Sequence, residues 1–211
     1  MKKDRLKTHI YSFWPLYIIF SVVSILLWST IVTFWTKDKK EEVVKVWVMS
    51  YGLDVSKMNE KLEENMPSYL KHVRTTFQDR KNVFIDMIYE GLGEGYDIAI
   101  LPMEFIEKTN IEKTYCSLDE RYFASDFYDM NYYEKEGVKY GIEIFDKGDE
   151  DDSLITYTKE GEERDNYYVF LNKNSLHFSE VNNSNYDGGL AVLKTLLEDK
   201  YGEEQRKNKG F

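Results

Sequence analysis

Few residues of this chain have the types and spacing that catalysis or metal binding requires. His9, His72 and His177 lie far apart, and none has a second histidine at the spacing of a metal site. Cys116 has neither a paired cysteine nor a nearby histidine, so we interpret it as a small buried thiol and not as a nucleophile. The acidic run at 149–152 is typical of a solvated turn. We therefore expect no catalytic residue, no metal and no cofactor.

Two other stretches resemble ligand-binding loops but depart from them in order or composition. The glycines at 91–95 end a predicted helix and precede a strand, whereas a phosphate loop follows a strand and begins a helix. Helix capping is the better interpretation. The stretch 183–188 begins like a calcium loop, but its twelfth position would be Lys194, where a bidentate glutamate is required. Asp187 is sufficient there as an N-terminal helix cap.

A run of uncharged residues from Phe13 to Trp35 predicts a transmembrane helix. Its 23 residues would form a helix of about 34 Å, which is enough to cross a bilayer. Aromatic residues lie near both ends, and Pro15 lies in the first turn of the run, where its missing donor costs little. A cleaved signal peptide is the disfavoured alternative, because the run is too long and lacks a small-x-small cleavage site.

The charge distribution favours a cytoplasmic N-terminus and an extracytoplasmic domain. Lysine and arginine are nearly balanced on the two sides of the run, so the positive-inside rule alone does not decide. The net charge is −10 and the first 36 residues contribute +3, so the remainder carries −13. A short basic tail followed by a long acidic part favours the first part as the cytoplasmic one.

The acidic part of the chain excludes nucleic acid as a partner and disfavours peripheral contact with anionic lipid. A single cysteine means that there is no internal disulfide, and no cysteine follows the apolar run as a lipidation site would require. An extracytoplasmic domain without disulfides suits a bacterial surface. Abundant Lys, Asn, Tyr and Ile beside few Ala and Pro indicate a low-GC bacterium.

The first part of the acidic region predicts alternating strands and helices. A β-branched strand at 43–51 precedes a helix capped by Asp54 or Ser56, and a second strand follows around 73–77. Another helix begins at Asn82, and an apolar strand at 96–101 reads as buried on both faces. This β-α-β-α-β order implies an α/β fold with a mostly parallel sheet covered by helices.

The remaining elements are less regular. We predict a short helix at 104–109, an aromatic loop-like stretch at 117–133 and a strand at 139–145. A hairpin of 154–158 with 167–172 and an amphipathic helix at 189–200 complete the domain. The predicted organisation is a basic tail (1–12), a transmembrane helix (13–35), a linker (36–42), an α/β domain (43–200) and a polar tail (201–211).

Three segments occur in an informative order. They are VVKVWVMSYGLDVSKMNEKLEENM, YDIAILPMEFIEKTNIEKTYCSLDERYF, and DNYYVFLNKNS followed by GGLAVLKTLLED. Together they resemble the extracellular solute-binding proteins of ABC importers, which have a type II periplasmic-binding-protein fold. The resemblance implies an opening strand with its first helix, a "YD-apolar-P" strand end, and a late return strand whose helix packs back on the first lobe.

The chain also departs from that family. A family member has a whole second lobe between the strands that resemble KYGIEIF and NYYVFLN, whereas only residues 146–166 lie between them here. The resemblance therefore implies a single three-layer α/β lobe. Met103 stands where relatives often have a ligand-binding hydroxyl, and the anchor is a helix instead of a lipidated cysteine.

The rule for open α/β sheets places a ligand or partner at the carboxyl ends of the strands. Three tyrosines that follow in the chain could add aromatic surface. The alternative interpretation is that all of these are ordinary loop and packing residues. The candidates are Ser50, Tyr51 and Gly52 after the first strand, Gln78 and Asp79 after the second, Pro102, Met103 and Glu104 after the third, and Tyr132, Tyr133 and Tyr140.

Two functions remain from the sequence. The first is a membrane-anchored, non-catalytic subunit that binds another membrane or surface protein, such as part of a transporter complex. Its 17 tyrosines suit interface use, because tyrosine buries a large area at low entropic cost. The alternative is a minimal substrate-binding component of an ABC importer that captures a small solute. The single lobe favours the first, and the family resemblance favours the second.

Overall fold

The computed structural model describes residues 2–82, 95–118, 130–148, 153–178 and 186–208. The chain divides into two compact units, Met1–Lys39 and Lys40–Phe211. Three predictions lie outside the described residues: the glycine-rich cap at 91–95 except Gly95, the acidic run at 149–152, and nearly all of the helix from Asn82. Most of the stretches at 117–133 and 183–188 lie outside them as well.

The first unit contains helix α1 (Lys2–Thr36), which includes the apolar run Phe13–Trp35. Within the described part of the chain, it is the one helix long and apolar enough to cross a membrane. The helix begins at Lys2, so Pro15 lies inside it and not in its first turn. The hydroxyls of Ser21 and Thr30 donate to carbonyls four residues earlier, at 2.8 and 2.7 Å, which satisfies these donors within the helix.

The second unit is built on a six-stranded sheet in the order β3-β1-β4-β8-β6-β5, beside a two-stranded ribbon of β2 and β7. Helices precede and follow its strands. The strands are β1 (Val43–Ser50), β2 (Gly52–Leu53), β3 (His72–Asp79), β4 (Ile98–Pro102), β5 (Tyr132–Lys135), β6 (Val138–Phe145), β7 (Ile155–Thr156) and β8 (Tyr167–Leu171); the helices are α2 (Val55–Glu63), α3 (Met103–Glu107), α4 (Ile111–Thr114) and α5 (Gly188–Asn208).

The sheet is mixed, so the prediction of a mostly parallel sheet is wrong. Strand β1 is parallel to β3 and β4, as the β-α-β pattern indicates. The pairs β4–β8, β8–β6 and β6–β5 are antiparallel. Strand β8 returns between β4 and β6, and its five residues are all buried. A central strand of this kind is apolar on both faces whatever its direction, so its sequence does not reveal the direction.

The predicted hairpin of 154–158 with 167–172 is also wrong. Strand β7 pairs with β2, through Leu53 with Ile155 and Gly52 with Thr156. After β7 the chain turns, and the hydroxyl of Thr158 donates to the carbonyl of Glu162 at 2.7 Å. The apolar pattern of the two segments identified strands but could not identify their partners.

Buried side chains cover both faces of the six-stranded sheet. On β1, Val46 and Val48 face one cluster, whereas Trp47 and Met49 face another. Helices α2 and α5 supply apolar residues to the first cluster, and α3 and α4 supply them to the second. The fold is therefore α/β with helices on both faces of the sheet.

Helix α2 begins as predicted, because the Asp54 carboxylate accepts a bond from the backbone N–H of Lys57 at 3.1 Å. Helix α5 starts near the predicted position but reaches Asn208, so most of the expected polar tail is helical. Its first turn packs closely on the domain. A Cβ on Gly188 would lie 2.6 Å from Leu70, and one on Gly189 would lie 2.8 Å from the carbonyl oxygen of His177.

A buried carboxylate joins β6 to α5. Glu143 is 3% exposed; its Oε1 accepts a bond from Asn166 at 3.0 Å, and its Oε2 accepts one from Asn131 at 2.9 Å. Lys200 on α5 lies 3.3 Å from Oε2, and the Tyr201 hydroxyl donates to the Glu143 carbonyl at 2.7 Å. A charge this deeply buried is tolerated because each carboxylate oxygen has a partner.

Candidate functional site

The carboxyl ends of the three parallel strands meet at one edge of the sheet, which we call the carboxyl edge. Ser50 and Asp79, the last residues of β1 and β3, are register partners. Pro102, the last residue of β4, is paired with Tyr167 at the start of antiparallel β8. Ser50 is fully buried and its hydroxyl donates to the Gly52 carbonyl at 2.9 Å, so that hydroxyl supports the chain itself.

Arg80 occupies the centre of this edge, and the sequence interpretation missed it. The Asp79 carboxylate accepts the backbone N–H of Lys81 at 2.8 Å, which forms the turn after β3. The guanidinium of Arg80 then lies over the Tyr51 ring, 4.6 Å from its centroid, and donates to the Tyr167 hydroxyl at 3.1 Å. Its side chain is only 9% exposed. The sequence feature that could have identified Arg80 as a candidate was its position directly after a predicted strand end.

Two carboxylates neutralise this guanidinium. Nη2 of Arg80 lies 2.6 Å from Glu104 and 3.3 Å from Asp165. Glu104 also accepts a bond from Lys108 at 2.6 Å, and that bond is the main reason that the pKa of Glu104 is lowered. Asp165 in addition accepts the backbone N–H of Glu104 at 3.2 Å. The positive charge at the carboxyl edge is therefore paired with carboxylates of the same chain.

The tyrosines beside Arg80 are held in their neutral form. The Tyr51 hydroxyl donates to Glu162 at 2.6 Å. Burial, followed by this hydrogen bond, raises the pKa of Tyr51 to about 12. Burial also raises the pKa of Tyr167 to about 12, although the nearby Arg80 opposes the shift. Both hydroxyls act as hydrogen-bonding groups at neutral pH.

Residues 153–166, which we call the cap segment, cover the carboxyl edge. Strand β7 of this segment pairs with β2, and the backbone N–H of Tyr51 donates to the Thr156 carbonyl at 3.1 Å. Tyr157 is 4% exposed; it stacks on Phe145 with 3.3 Å between ring centroids and meets Tyr167 edge-on at 5.0 Å. The cap segment therefore packs on the strand ends at this edge.

The other strand-end candidates also make structural contacts at this edge. Gln78 donates weakly to the Asp79 carbonyl, at 3.5 Å. Pro102 precedes α3, and the backbone N–H of Met103 donates to the carbonyl of Asn166 at 2.8 Å. Gly52 has little space, because a Cβ there would lie 3.2 Å from Thr156 Oγ1. The eight candidates after the three strands do come together at the carboxyl edge: Ser50, Tyr51, Gly52, Gln78, Asp79, Pro102, Met103 and Glu104.

The three candidate tyrosines on the outer strands do not join them. Tyr132 and Tyr133 lie on edge strand β5, paired with Ile142 and Gly141. Tyr133 packs on the second cluster, and the Lys139 ammonium lies 4.2 Å from the Tyr132 ring centroid. Tyr140 lies early in β6, which runs parallel to β1, and therefore near the opposite edge.

One group of polar side chains at that opposite edge contains a serine, a histidine and an aspartate: Ser175, His177 and Asp97. Their side chains are oriented to support the fold and not to transfer a proton. The Ser175 hydroxyl donates directly to Asp97 at 2.6 Å and accepts the backbone N–H of His177 at 3.0 Å. The His177 Nε2 instead faces the carbonyls of Lys40 and Val43, at 2.9 and 3.0 Å. A proton relay requires the imidazole to contact the hydroxyl, and here it does not.

Among the described residues, no group of three or more His, Cys, Asp or Glu side chains is arranged to hold a metal ion. The Cys116 thiol donates to the Leu171 carbonyl at 3.3 Å and is half-buried. Comparison of the chain with protein-family models, curated proteins and solved structures finds no match in any of the three.

Proposed function

We propose that this protein is a membrane-anchored, extracytoplasmic, non-catalytic subunit that binds another membrane or surface protein. Helix α1 is the anchor, and the second unit is the binding domain. The length and composition of Phe13–Trp35 support the anchor. The acidic character of the remainder supports an extracytoplasmic domain behind a basic tail.

The observation that carries the proposal is the closure of the carboxyl edge by the chain itself. An anionic solute would need a cation such as Arg80, but Glu104 and Asp165 already pair with that guanidinium. An apolar solute would need the space that Tyr157 fills against Phe145. Small-molecule sites bury most of their ligand in a concave pocket. A closed edge is better suited to contact with a protein surface.

The alternative is the minimal substrate-binding component of an ABC importer, and the strand order favours it. The segments that resemble the solute-binding family form β1 with α2, β4 with α3, and β8 with α5. The return strand β8 lies beside β4, and α5 packs on the face that carries α2. The resemblance implies a late return strand whose helix packs back on the first lobe, and these placements support a transporter complex as the setting that we propose for the partner.

The test is affinity purification of the full-length protein from native membranes in mild detergent, with quantitative mass spectrometry. If a partner docks at the carboxyl edge, Glu160→Lys with Glu163→Lys, two exposed positions of the cap segment, should reduce its recovery about tenfold, a loss of about 1.4 kcal/mol. Glu198→Lys, an exposed position on α5, is the matched control and should leave recovery unchanged.

The outcomes separate the two functions. Co-purification of permease and ATPase subunits would place the protein in a transporter complex, whereas other surface proteins without an ATPase would exclude the importer. A solute-binding component would instead show a saturable rise in its unfolding temperature with one class of small solute. That rise, without a protein partner, would overturn our proposal.

A further inference from the structure

We infer that the side chains of Asn59 and Glu63 on α2 prevent a second copy of the chain from adding a strand to β3. They do so by occupying backbone donors on the outer side of that strand, and we call these two residues the edge guard. The inference concerns the second unit alone and does not depend on the proposed function. It goes beyond that function, because it closes one of the modes by which a protein partner could bind.

Strand β3 lies at one end of the six-stranded sheet. In the described part of the chain, β1 is its only neighbouring strand. Successive N–H groups of a strand point to opposite sides, so every second N–H of β3 points away from β1. Unpaired groups of this kind are a template for pairing with another chain. With eight residues, β3 is longer than the usual strand, and its edge would be a good template if it were open.

Two of these outward N–H groups donate to the edge guard. The backbone N–H of Val73 donates to Oε1 of Glu63 at 2.9 Å, and that of Thr75 donates to Oδ1 of Asn59 at 3.1 Å. Both acceptors are side-chain oxygens, so neither bond belongs to a sheet. An incoming strand would have to displace both of them before it could pair with the first half of β3.

The spacing of residues on α2 explains how the edge guard reaches β3. Asn59 and Glu63 are four residues apart, which places them on one face of the helix. The residue before each of them is apolar: Met58 and Leu62 are 3% and 1% exposed and belong to the first cluster. Packing of that apolar row fixes α2 on the sheet, and the adjacent row then lies alongside the outer side of β3.

The guarded positions are buried. Val73 is 2% exposed and Thr75 is 8% exposed. A buried N–H without an acceptor costs free energy, so the two bonds stabilise the fold as well as covering the edge. Stabilisation and guarding differ in one measurable consequence. Loss of a bond that only stabilises leaves the association state unchanged, whereas loss of a guard allows two copies to pair.

The other end of the sheet is protected by different means. Strand β5 has four residues, and its register with β6 is irregular between Tyr133 and Glu134. Lys135 forms an ion pair with Glu112 on α4 at 2.7 Å. Short, irregular and charged edge strands resist pairing with other chains. We therefore expect a partner protein to contact side chains of this domain and not to add a strand to its sheet.

The experiment compares two double variants of the full-length protein in mild detergent. The guard variant is Asn59→Ala with Glu63→Ala. The matched control is Glu60→Ala with Glu64→Ala, which changes two exposed positions one residue further along the same segment. Two properties are measured on each protein: hydrogen exchange of the β3 amides, and association of the chain with itself.

Hydrogen exchange tests whether the edge guard holds the outward amides. NMR on protein labelled in valine and threonine follows the amide hydrogens of Val73 and Thr75. We expect slow exchange in the wild type and in the control, and exchange at least about tenfold faster in the guard variant. Unchanged exchange in the guard variant would overturn the inference, because these side chains would then not be the acceptors.

Association tests whether the edge guard excludes a second copy. Light scattering gives the association state, and a nitroxide at Arg74→Cys, an exposed position of β3, in a Cys116→Ser background reports pairing of two β3 strands. We expect the guard variant to dimerise where the wild type and the control do not. Its two labels should lie within about 20 Å, because paired strands are about 4.8 Å apart. Glu63→Gln alone, which keeps an acceptor oxygen, should associate no more than the wild type.

The remaining outcomes each decide the question. Faster exchange without dimers would overturn the inference, since the bonds would then only stabilise the fold. Dimers whose labels at position 74 are far apart would also overturn it, because another surface would be responsible. If exchange protection is lost in every strand, the guard variant has unfolded. Glu63→Ala alone, which frees only the N–H of Val73, then replaces it and is judged by the same two measurements.

Discussion

Nη2 of Arg80 lies 3.3 Å from Oδ2 of Asp165, which ties the residue after β3 to the residue two positions before β8. This ion pair connects the cap segment to the end of β3, one of the three parallel strands. Glu104 holds the same nitrogen from the start of α3, at 2.6 Å. Three parts of the chain that are distant in sequence therefore meet at one guanidinium.

Replacing Arg80 should destabilise the domain substantially. Arg80→Met leaves the Asp165 carboxylate, which is 18% exposed, without its main counter-charge. Glu104 is 59% exposed and can be solvated by water, so most of the cost comes from Asp165. We expect a loss of about 2–4 kcal/mol in the free energy of unfolding. Urea denaturation in detergent measures it. Lys57→Ala, at a 69% exposed position, should change it by less than about 0.5 kcal/mol.

Stability should fall in alkali between about pH 10 and 12. The pKa of Tyr51 and of Tyr167 is about 12 in the folded protein, against 10.0 for an ordinary tyrosine. Both groups keep their proton in the folded state after the unfolded chain has lost it, so deprotonation favours unfolding in this interval. Urea midpoints from pH 8 to 12 would show the decline, and Tyr51→Phe should make it shallower. An unchanged midpoint across this range would contradict the assignment.

Gly189 should not tolerate a methyl group. A Cβ there would lie 2.8 Å from the His177 carbonyl oxygen, which is backbone and cannot move alone. Gly189→Ala should therefore lower the free energy of unfolding by about 1–3 kcal/mol. Gly95→Ala is the matched control, because a Cβ there meets nothing within 4 Å. Similar thermal unfolding of the two variants would show that the first turn of α5 can shift.

Glu143 and Lys200 should be energetically coupled. Glu143→Gln keeps one acceptor oxygen but removes the charge that Lys200 faces at 3.3 Å. Lys200→Met removes the cation and leaves Asn131 and Asn166 as the side-chain donors to the carboxylate. A double-mutant cycle by urea denaturation should give a coupling of about 1–3 kcal/mol. Strict additivity of the two single losses would mean that the Glu143 and Lys200 side chains do not stabilise the fold through their contact with each other.

The elements that local pattern determines were predicted well. The β-branched run gives β1, the Asp54 cap begins α2, and alternation around Val73 gives β3. The direction of β8 and the partner of β7 were not predictable, because both depend on contacts between residues far apart in the chain. A buried strand has the same apolar composition in either direction.

The residues of the candidate site also fall into two groups, those whose location follows from local pattern and those whose location depends on contacts between distant parts of the chain. The location of strand-end residues such as Tyr51 and Glu104 at one edge was predictable, because parallel strands bring their carboxyl ends together. Arg80 was missed because its importance comes from Asp165 and Tyr167, which approach it only after folding. Tyr140 was misplaced because its position depends on the direction of β6 in the sheet.

The central position of β8 has a consequence for synthesis. Strands β4 and β6 are both complete in the chain before residues 167–171 leave the ribosome, and each then has an unpaired edge. The native sheet cannot close until β8 is inserted between them, so a long-range contact must form last. Until that insertion the open edges of β4 and β6 can pair with other chains, so this interval is the stage of folding at which the protein is most prone to edge-to-edge aggregation.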